Sequence, residues 1–144
     1  MQSRQKVQCY ITREHARSLQ VLVFEHVDYP DAGVQVPAGS IEPGETPEEA
    51  ALREAWEESG IRELRVQRYI GKFQWWHEDR HEDNERYVFQ LTTPQIVPER
   101  WEHIVSAGVE DKGIRFACYW LDCAVAVQVL SGNQGDYLQY LELP

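Results

Sequence analysis

The chain has 144 residues, enough for one ordinary domain, and 42% of them are hydrophobic, which supplies a core. Its 24 acidic residues outnumber 14 basic ones, for a formal net charge of -10. That balance disfavours long nucleic acid as a partner, because such binders gain affinity from Lys and Arg on phosphates. No apolar run reaches about 18 residues and none follows Met1, so neither a membrane span nor a secretory leader is expected, and a soluble, cytoplasmic protein is.

Residues 7–12 and 19–26 are rich in β-branched and apolar side chains and are joined by a polar link, the pattern of two successive strands. Residues 28–33 are loop punctuation, and residues 34–38 read as a short strand running into a turn at Gly39. Thr46, with Glu49 three residues on, forms a capping box, and Pro47 falls at the first helical position. Gly60 is placed to take the left-handed conformation that closes a helix, with Ile61 folding back onto its apolar face. A helix is therefore predicted over residues 47–59.

At about 100° per residue, Ala51, Leu52, Ala55 and Ser59 share one face of that helix, while Glu54, Glu57 and Glu58 converge on a neighbouring arc. Like charges at the spacing of Glu54 and Glu58 destabilise an isolated helix by about 0.2–0.5 kcal/mol, and Arg53, four residues before Glu57, is the local cation. Clustered carboxylates without His or Cys nearby suit Mg²⁺ or Mn²⁺ rather than Zn²⁺. The plainer alternative is a solvated acidic helix face.

Beyond the helix, residues 66–76 and 86–92 read as a long hairpin whose acidic tip covers residues 77–85. A strand follows over residues 114–122, and a terminal helix ends near residues 137–141. Strands flanking a helix, then a hairpin, strand and helix, predict an α/β fold with a mixed sheet between helical layers. Cys9, Cys118 and Cys123 form no even framework and no Cys-x-x-Cys pair, so buried free thiols are expected. His77 and His81 lie four apart on the hairpin tip, where a solvated loop is the simpler reading than a metal site.

The stretch GSIEPGETPEEAALREAWEESGI over residues 39–61 runs Gly, five residues, Glu, seven residues, Arg-Glu, a small apolar residue, any residue, Glu-Glu, any residue, Gly, apolar. Its order and spacing resemble the signature of the Nudix hydrolases. Seven specified positions would recur by chance on the order of once in a million sequences of this length, which makes the resemblance specific. Ala55 stands where the family has a larger aliphatic residue, a departure that concerns packing rather than chemistry.

The resemblance implies an α/β/α sandwich with a central mixed β-sheet, formed by a single domain over residues 1–144. It also implies a metal-dependent enzyme that cleaves the diphosphate linkage of a nucleoside diphosphate joined to another group: a nucleoside triphosphate, a nucleotide sugar or a dinucleoside polyphosphate. Glu54, Glu57 and Glu58, with the Gly39 carbonyl, are then expected to hold Mg²⁺ or Mn²⁺. Arg53 is expected to orient carboxylates, with Glu45 and Glu57 as partners, and Glu57 or Glu54 to activate water. Glu110 or Asp111 occupies the loop from which relatives bring a further acidic ligand, and Glu102 is another candidate. An exposed loop carboxylate is the plainer reading of each.

Substrate recognition calls for aromatic faces and a few cations. Trp75 and Trp76 are adjacent on a strand, so their side chains point to opposite faces. Arg86 and Arg115, with Lys72, Arg80 and Lys112, are candidate phosphate contacts. Tyr87, Phe89, Trp101, Tyr119 and Trp120 are assigned to the core. A small-molecule nucleotide diphosphate is the expected partner, and exposed aromatics on the hairpin offer a surface for a homodimer. The competing reading is a binding module that senses a nucleotide without cleaving it.

Overall fold

Alternating apolar side chains give one mixed sheet two buried faces in the computed structural model, which describes residues 4–106 and 112–144. β1 (Arg4–His15) turns Val7, Cys9 and Ile11 to one face and Tyr10 to the other, and β2 (Ser18–His26) divides Leu22 and Phe24 from Val21 and Val23 in the same way. Two short strands follow, β3 (Val34–Gln35) paired with β2 and β4 (Ala38–Ser40) paired with β1. The hairpin is β5 (Arg65–His77) and β6 (Glu82–Thr92), and β7 (Arg100–Ile104) and β8 (Arg115–Asp122) complete the order β5-β6-β1-β2-β8-β7.

β1 changes partner half-way along. Residues 4–11 run parallel to β6 on one side, with Lys6, Val7 and Gln8 opposite Ser40, Gly39 and Ala38 of antiparallel β4 on the other. From Thr12 onward β1 pairs with β2 instead. This exchange brings β4, and with it Gly39, beside the helix.

The helix α1 spans Pro47–Ser59 as predicted, and its start carries the capping box: the Glu49 amide donates to Thr46 Oγ1 at 3.1 Å and the Thr46 amide to Glu49 Oε1 at 2.9 Å. Gly60 closes it in the left-handed region, at φ 80°, and donates to the Trp56 carbonyl. Ala50, Ala51 and Ala55, all fully buried, seat α1 on the Val7–Cys9–Ile11 face, so small side chains set the close approach. The second helix, α2 (Cys123–Val129), and the segment containing Tyr137 and Leu138 cover the opposite face. The result is the expected α/β/α sandwich. Tyr87, Phe89, Trp101, Tyr119 and Trp120 belong to its packed faces. Cys9 and Cys118 are buried free thiols, and Cys123 is half-buried. Among the described residues, no helix is long and apolar enough to cross a membrane.

Three features differ from the sequence reading. β7 was not anticipated, because this edge strand exposes Arg100, Glu102 and Ile104 and lacks a clear apolar alternation. The last helix lies at Cys123–Val129, and residues 138–140 form only a 3-10 turn. Its alternating Val residues mimic a strand, yet Val125, Val127 and Val129 are all substantially exposed. The hairpin tip is shorter than residues 77–85, since pairing continues through Trp76 with Asp83 and His77 with Glu82. The solvated helix face, the plainer alternative for the acidic cluster, does not describe Glu54 and Glu58, which are only 7% exposed and lie on the buried side of α1.

Removing the cap oxygen of α1 leaves an amide without its partner. Thr46→Ala is expected to cost about 1 kcal/mol, a fall in Tm of about 3 °C for a domain of this size, measured by thermal melting.

Candidate active site

Arg53 stands at the centre of the acidic helix. Its Nε and Nη2 donate to the two carboxylate oxygens of Glu45 at 2.6 and 3.0 Å, a two-pronged pair. Nη1 donates to Glu54 Oε1 at 2.9 Å and lies 3.3 Å from Glu57 Oε2, while Nη2 also reaches the Ser40 carbonyl at 3.0 Å. Glu42 approaches to 3.7 Å. One planar guanidinium thus joins the loop before α1, the end of β4 and two turns of the helix.

The wall opposite is β4. A Cβ on Gly39 would lie 2.3 Å from the Glu54 carboxylate, so any larger residue here would push that carboxylate out of its place. The neighbouring Ala38 amide donates to Glu58 Oε1 at 2.9 Å. At the other end of α1, carbonyls left open by the helix find partners on β7: Trp101 Nε1 donates to Ser59 at 2.8 Å, and His103 Nε2 lies 2.8 Å from the Glu57 carbonyl. These contacts fix the backbone that carries Glu57 and Glu58.

Glu54, Glu57 and Glu58 present carboxylate oxygen alone, the donor chemistry that a hard divalent cation prefers. Glu54 and Glu57 meet at Arg53 Nη1, and the Ala38 amide engages Glu58. Among the described residues no three acidic, His or Cys side chains stand together as a metal-holding group. Glu110 and Asp111 lie outside the described residues. Glu102 is exposed on β7, 3.9 Å from Arg115 and apart from this cluster.

Ala38 and Gly39 also line a cleft of about 360 Å³. Trp75 and Arg86 meet there, the guanidinium 4.5 Å over the indole, together with Lys6, Arg80, Glu82 and Asn84. Trp76 is not part of it: strand alternation turns it to the other face, where Nε1 donates to Glu78 and the ring lies edge-on to His81. Arg115 is also elsewhere, held at 3.0 Å by Asp28 at the start of β8. Lys72 pairs with Glu85 at 3.9 Å, and Lys112 is exposed in the turn before β8.

A NUDIX-domain family profile matches residues 2–141. The chain belongs to the Nudix family. Mouse (Mus musculus) diphosphoinositol polyphosphate phosphohydrolase 3-alpha is 33% identical over 126 residues, covering 88% of this chain and 69% of that protein. Its human (Homo sapiens) counterpart is 32% identical with the same coverage. Among solved structures, C. elegans Ap4A hydrolase superposes with a TM-score of 0.68 at 18% identity, covering 96% of each chain. The Nudix domain of Shewanella oneidensis NrtR, complexed with ADP ribose, gives 0.69 at 16% identity, covering 97% of this chain and 86% of that one. Those two likenesses establish the fold. Membership and the hydrolase relatives make the chain an enzyme acting on phosphoric anhydride bonds.

Around the Nudix helix, sequence reasoning missed Lys6 and Asn84 in the cleft and the Trp101 and His103 contacts to α1. A signal was present for the first two: polar residues alternate along parts of β1 and β6, Lys6 and Gln8 on one and Asn84, Arg86 and, past Val88, Gln90 on the other, and mark a face built for hydrogen bonds.

Arg53 holds the Glu45 carboxyl below the usual carboxylate range, and Glu45 in turn raises Arg53. A depressed carboxyl contributes stability that is present above its unfolded value, about 4.3, and lost as pH falls through the lower folded value. Glu45→Gln is therefore expected to destabilise by about 1.5–3 kcal/mol at pH 7, with the difference from the native chain shrinking as pH falls below about 4. Thermal melting against pH checks this, and a difference independent of pH contradicts it.

Proposed function

We propose that this Nudix hydrolase is a divalent-metal-dependent pyrophosphohydrolase of a nucleoside diphosphate joined to another group, whether a further phosphate, a sugar or a second nucleotide. The observation that carries the reading is the Arg53 cluster, which joins Glu45 of the loop before α1 to Glu54 and Glu57 of the helix, beside Gly39. Glu54, Glu57 and Glu58, with the Gly39 carbonyl, would hold Mg²⁺ or Mn²⁺. Such an ion supplies positive charge to phosphoryl oxygens and lowers the pKa of bound water.

The chain's own residues supply position and proton transfer. Arg53 orients Glu54 and Glu57 without itself meeting the substrate. Glu57 or Glu54 accepts the proton of the attacking water. The adjoining cleft receives the part of the substrate beyond the scissile linkage, with Arg86 and Trp75 on its wall. Arg86 lies over one indole face, so stacking of a base on Trp75 is restricted to what that guanidinium leaves open.

The curated relatives are named for diphosphoinositol polyphosphates, which adds a diphosphorylated cyclitol to the substrates worth testing. Product release is to be measured from nucleoside triphosphates, nucleotide sugars, dinucleoside polyphosphates and diphosphoinositol polyphosphates, with Mg²⁺ or Mn²⁺. Metal-dependent cleavage of at least one class is expected, falling on the order of 10²-fold or more in Glu57→Gln. Nucleotide binding without cleavage of any class would favour the sensing module instead.

A further inference from the structure

The last turn of α1 carries Glu57 and Glu58, and a helix leaves its final carbonyls without partners of its own, so this turn is the one most prone to fray. Ordinarily the chain beyond the closing glycine folds back to satisfy them. Here the Gly60 amide donates to the Trp56 carbonyl at 2.8 Å, while the Ile61 amide is taken by Ser59 Oγ at 3.1 Å. The carbonyls of Glu57, Glu58 and Ser59 are met instead by side chains of β7 and β8. His103 Nε2 lies 2.8 Å from the Glu57 oxygen, Trp101 Nε1 donates to Ser59 at 2.8 Å, and the Cys118 thiol reaches Glu58 at 4.0 Å.

Strand alternation aims these donors. Trp101 and His103 are two apart on β7, so both turn inward while Arg100, Glu102 and Ile104 are exposed. Pairing sets Trp101 opposite Cys118, which stands those two donors side by side. A carbonyl oxygen only accepts, so His103 carries a hydrogen on Nε2. Its other nitrogen lies against Gly60, where a Cβ would come within 2.7 Å of Nδ1, so a larger residue there would push the imidazole from its place. Arg53 fixes the carboxylates of Glu54 and Glu57 at their tips, whereas this row of donors holds the backbone of the turn.

We infer that His103 and Trp101 are positioning residues for turnover. They clamp the last turn of α1 through its carbonyls, and so place the carboxylates of Glu57 and Glu58 without touching the substrate. Misplacing a reacting group by about 1 Å can cost roughly 10²-fold in rate, so loss of either donor is felt in kcat rather than in KM. The effect on turnover rests on the pyrophosphohydrolase reading, whereas the clamp on the helix end rests on the geometry alone.

Amide hydrogen exchange of the full chain, followed residue by residue by NMR, reads the clamp without a substrate. In His103→Leu the amides of Glu58, Ser59 and Gly60 should exchange roughly tenfold faster, with those of Ala50 and Ala51 unchanged. With a cleaved substrate, His103→Leu should lower kcat roughly tenfold with KM little changed. Trp101→Phe, which keeps a ring and loses the N–H, should lower kcat several-fold. His103→Gln, whose amide can donate from the place of Nε2, should recover most of the loss, and Ile104→Ser, on the exposed side of the same strand, should leave kcat as it is. Thermal melting identifies variants that remain folded. Native kcat in a folded His103→Leu/Trp101→Phe double variant overturns the positioning role and keeps the hydrolytic reading. Unchanged exchange at Glu58 to Gly60 overturns the clamp itself. Faster exchange there, with no substrate cleaved by the native chain, would retain the clamp and remove the hydrolytic reading.

Discussion

Several carboxylates crowd one end of a helix in an already acidic chain, and a single guanidinium holds them in place. Arg53 donates to Glu45 with two of its nitrogens, to Glu54 and Glu57 with the third, and to the Ser40 carbonyl as well. A lysine ammonium has the charge for this task but not the planar fork. The arrangement ties the segment before α1 to the middle of the helix, so the acidic groups acquire fixed directions that an isolated helix would not give them. Gly39 completes the constraint by leaving room for the Glu54 carboxylate against β4.

That geometry depends on the way β1 divides its pairing. Because residues 4–11 of β1 face β6 and β4, the acidic helix end and the basic cleft share the same short strand as a wall. Negative groups that suit a metal ion stand on one side and Lys6, Arg80 and Arg86 on the other. An acidic surface repels an anionic substrate at long range, so local placement of cations matters more here than net charge. The opposite layer is tied down by buried polar groups: Gln8 and Tyr10 bond the Gln134 carbonyl, and Gln90 bonds both backbone groups of Glu142.

The limits of α1 were legible to the residue because Thr46, Pro47, Glu49 and Gly60 act locally. Its partners were less so. Glu45 as the partner of Arg53 came from the family pattern, whereas the burial of Glu54 and Glu58 depends on β4, which is distant from them in sequence. Trp75 and Arg86 do lie side by side, since strand pairing places Trp75 opposite Asn84, two residues from Arg86. Trp76 and Arg115 were grouped with them by residue type alone, and alternation and the Asp28 pair carry them elsewhere. β7 stayed hidden because its contribution is made by Trp101 and His103 reaching the carbonyls of α1, a tertiary contact with no local signature.

The account turns on Arg53 as an organiser whose shape matters more than its charge. Arg53→Lys, assayed for metal-dependent turnover alongside thermal melting, separates the two. The account predicts that kcat/KM falls at least tenfold while the chain remains folded, since the ammonium cannot hold Glu45, Glu54 and Glu57 together. Turnover equal to that of the native chain would contradict it.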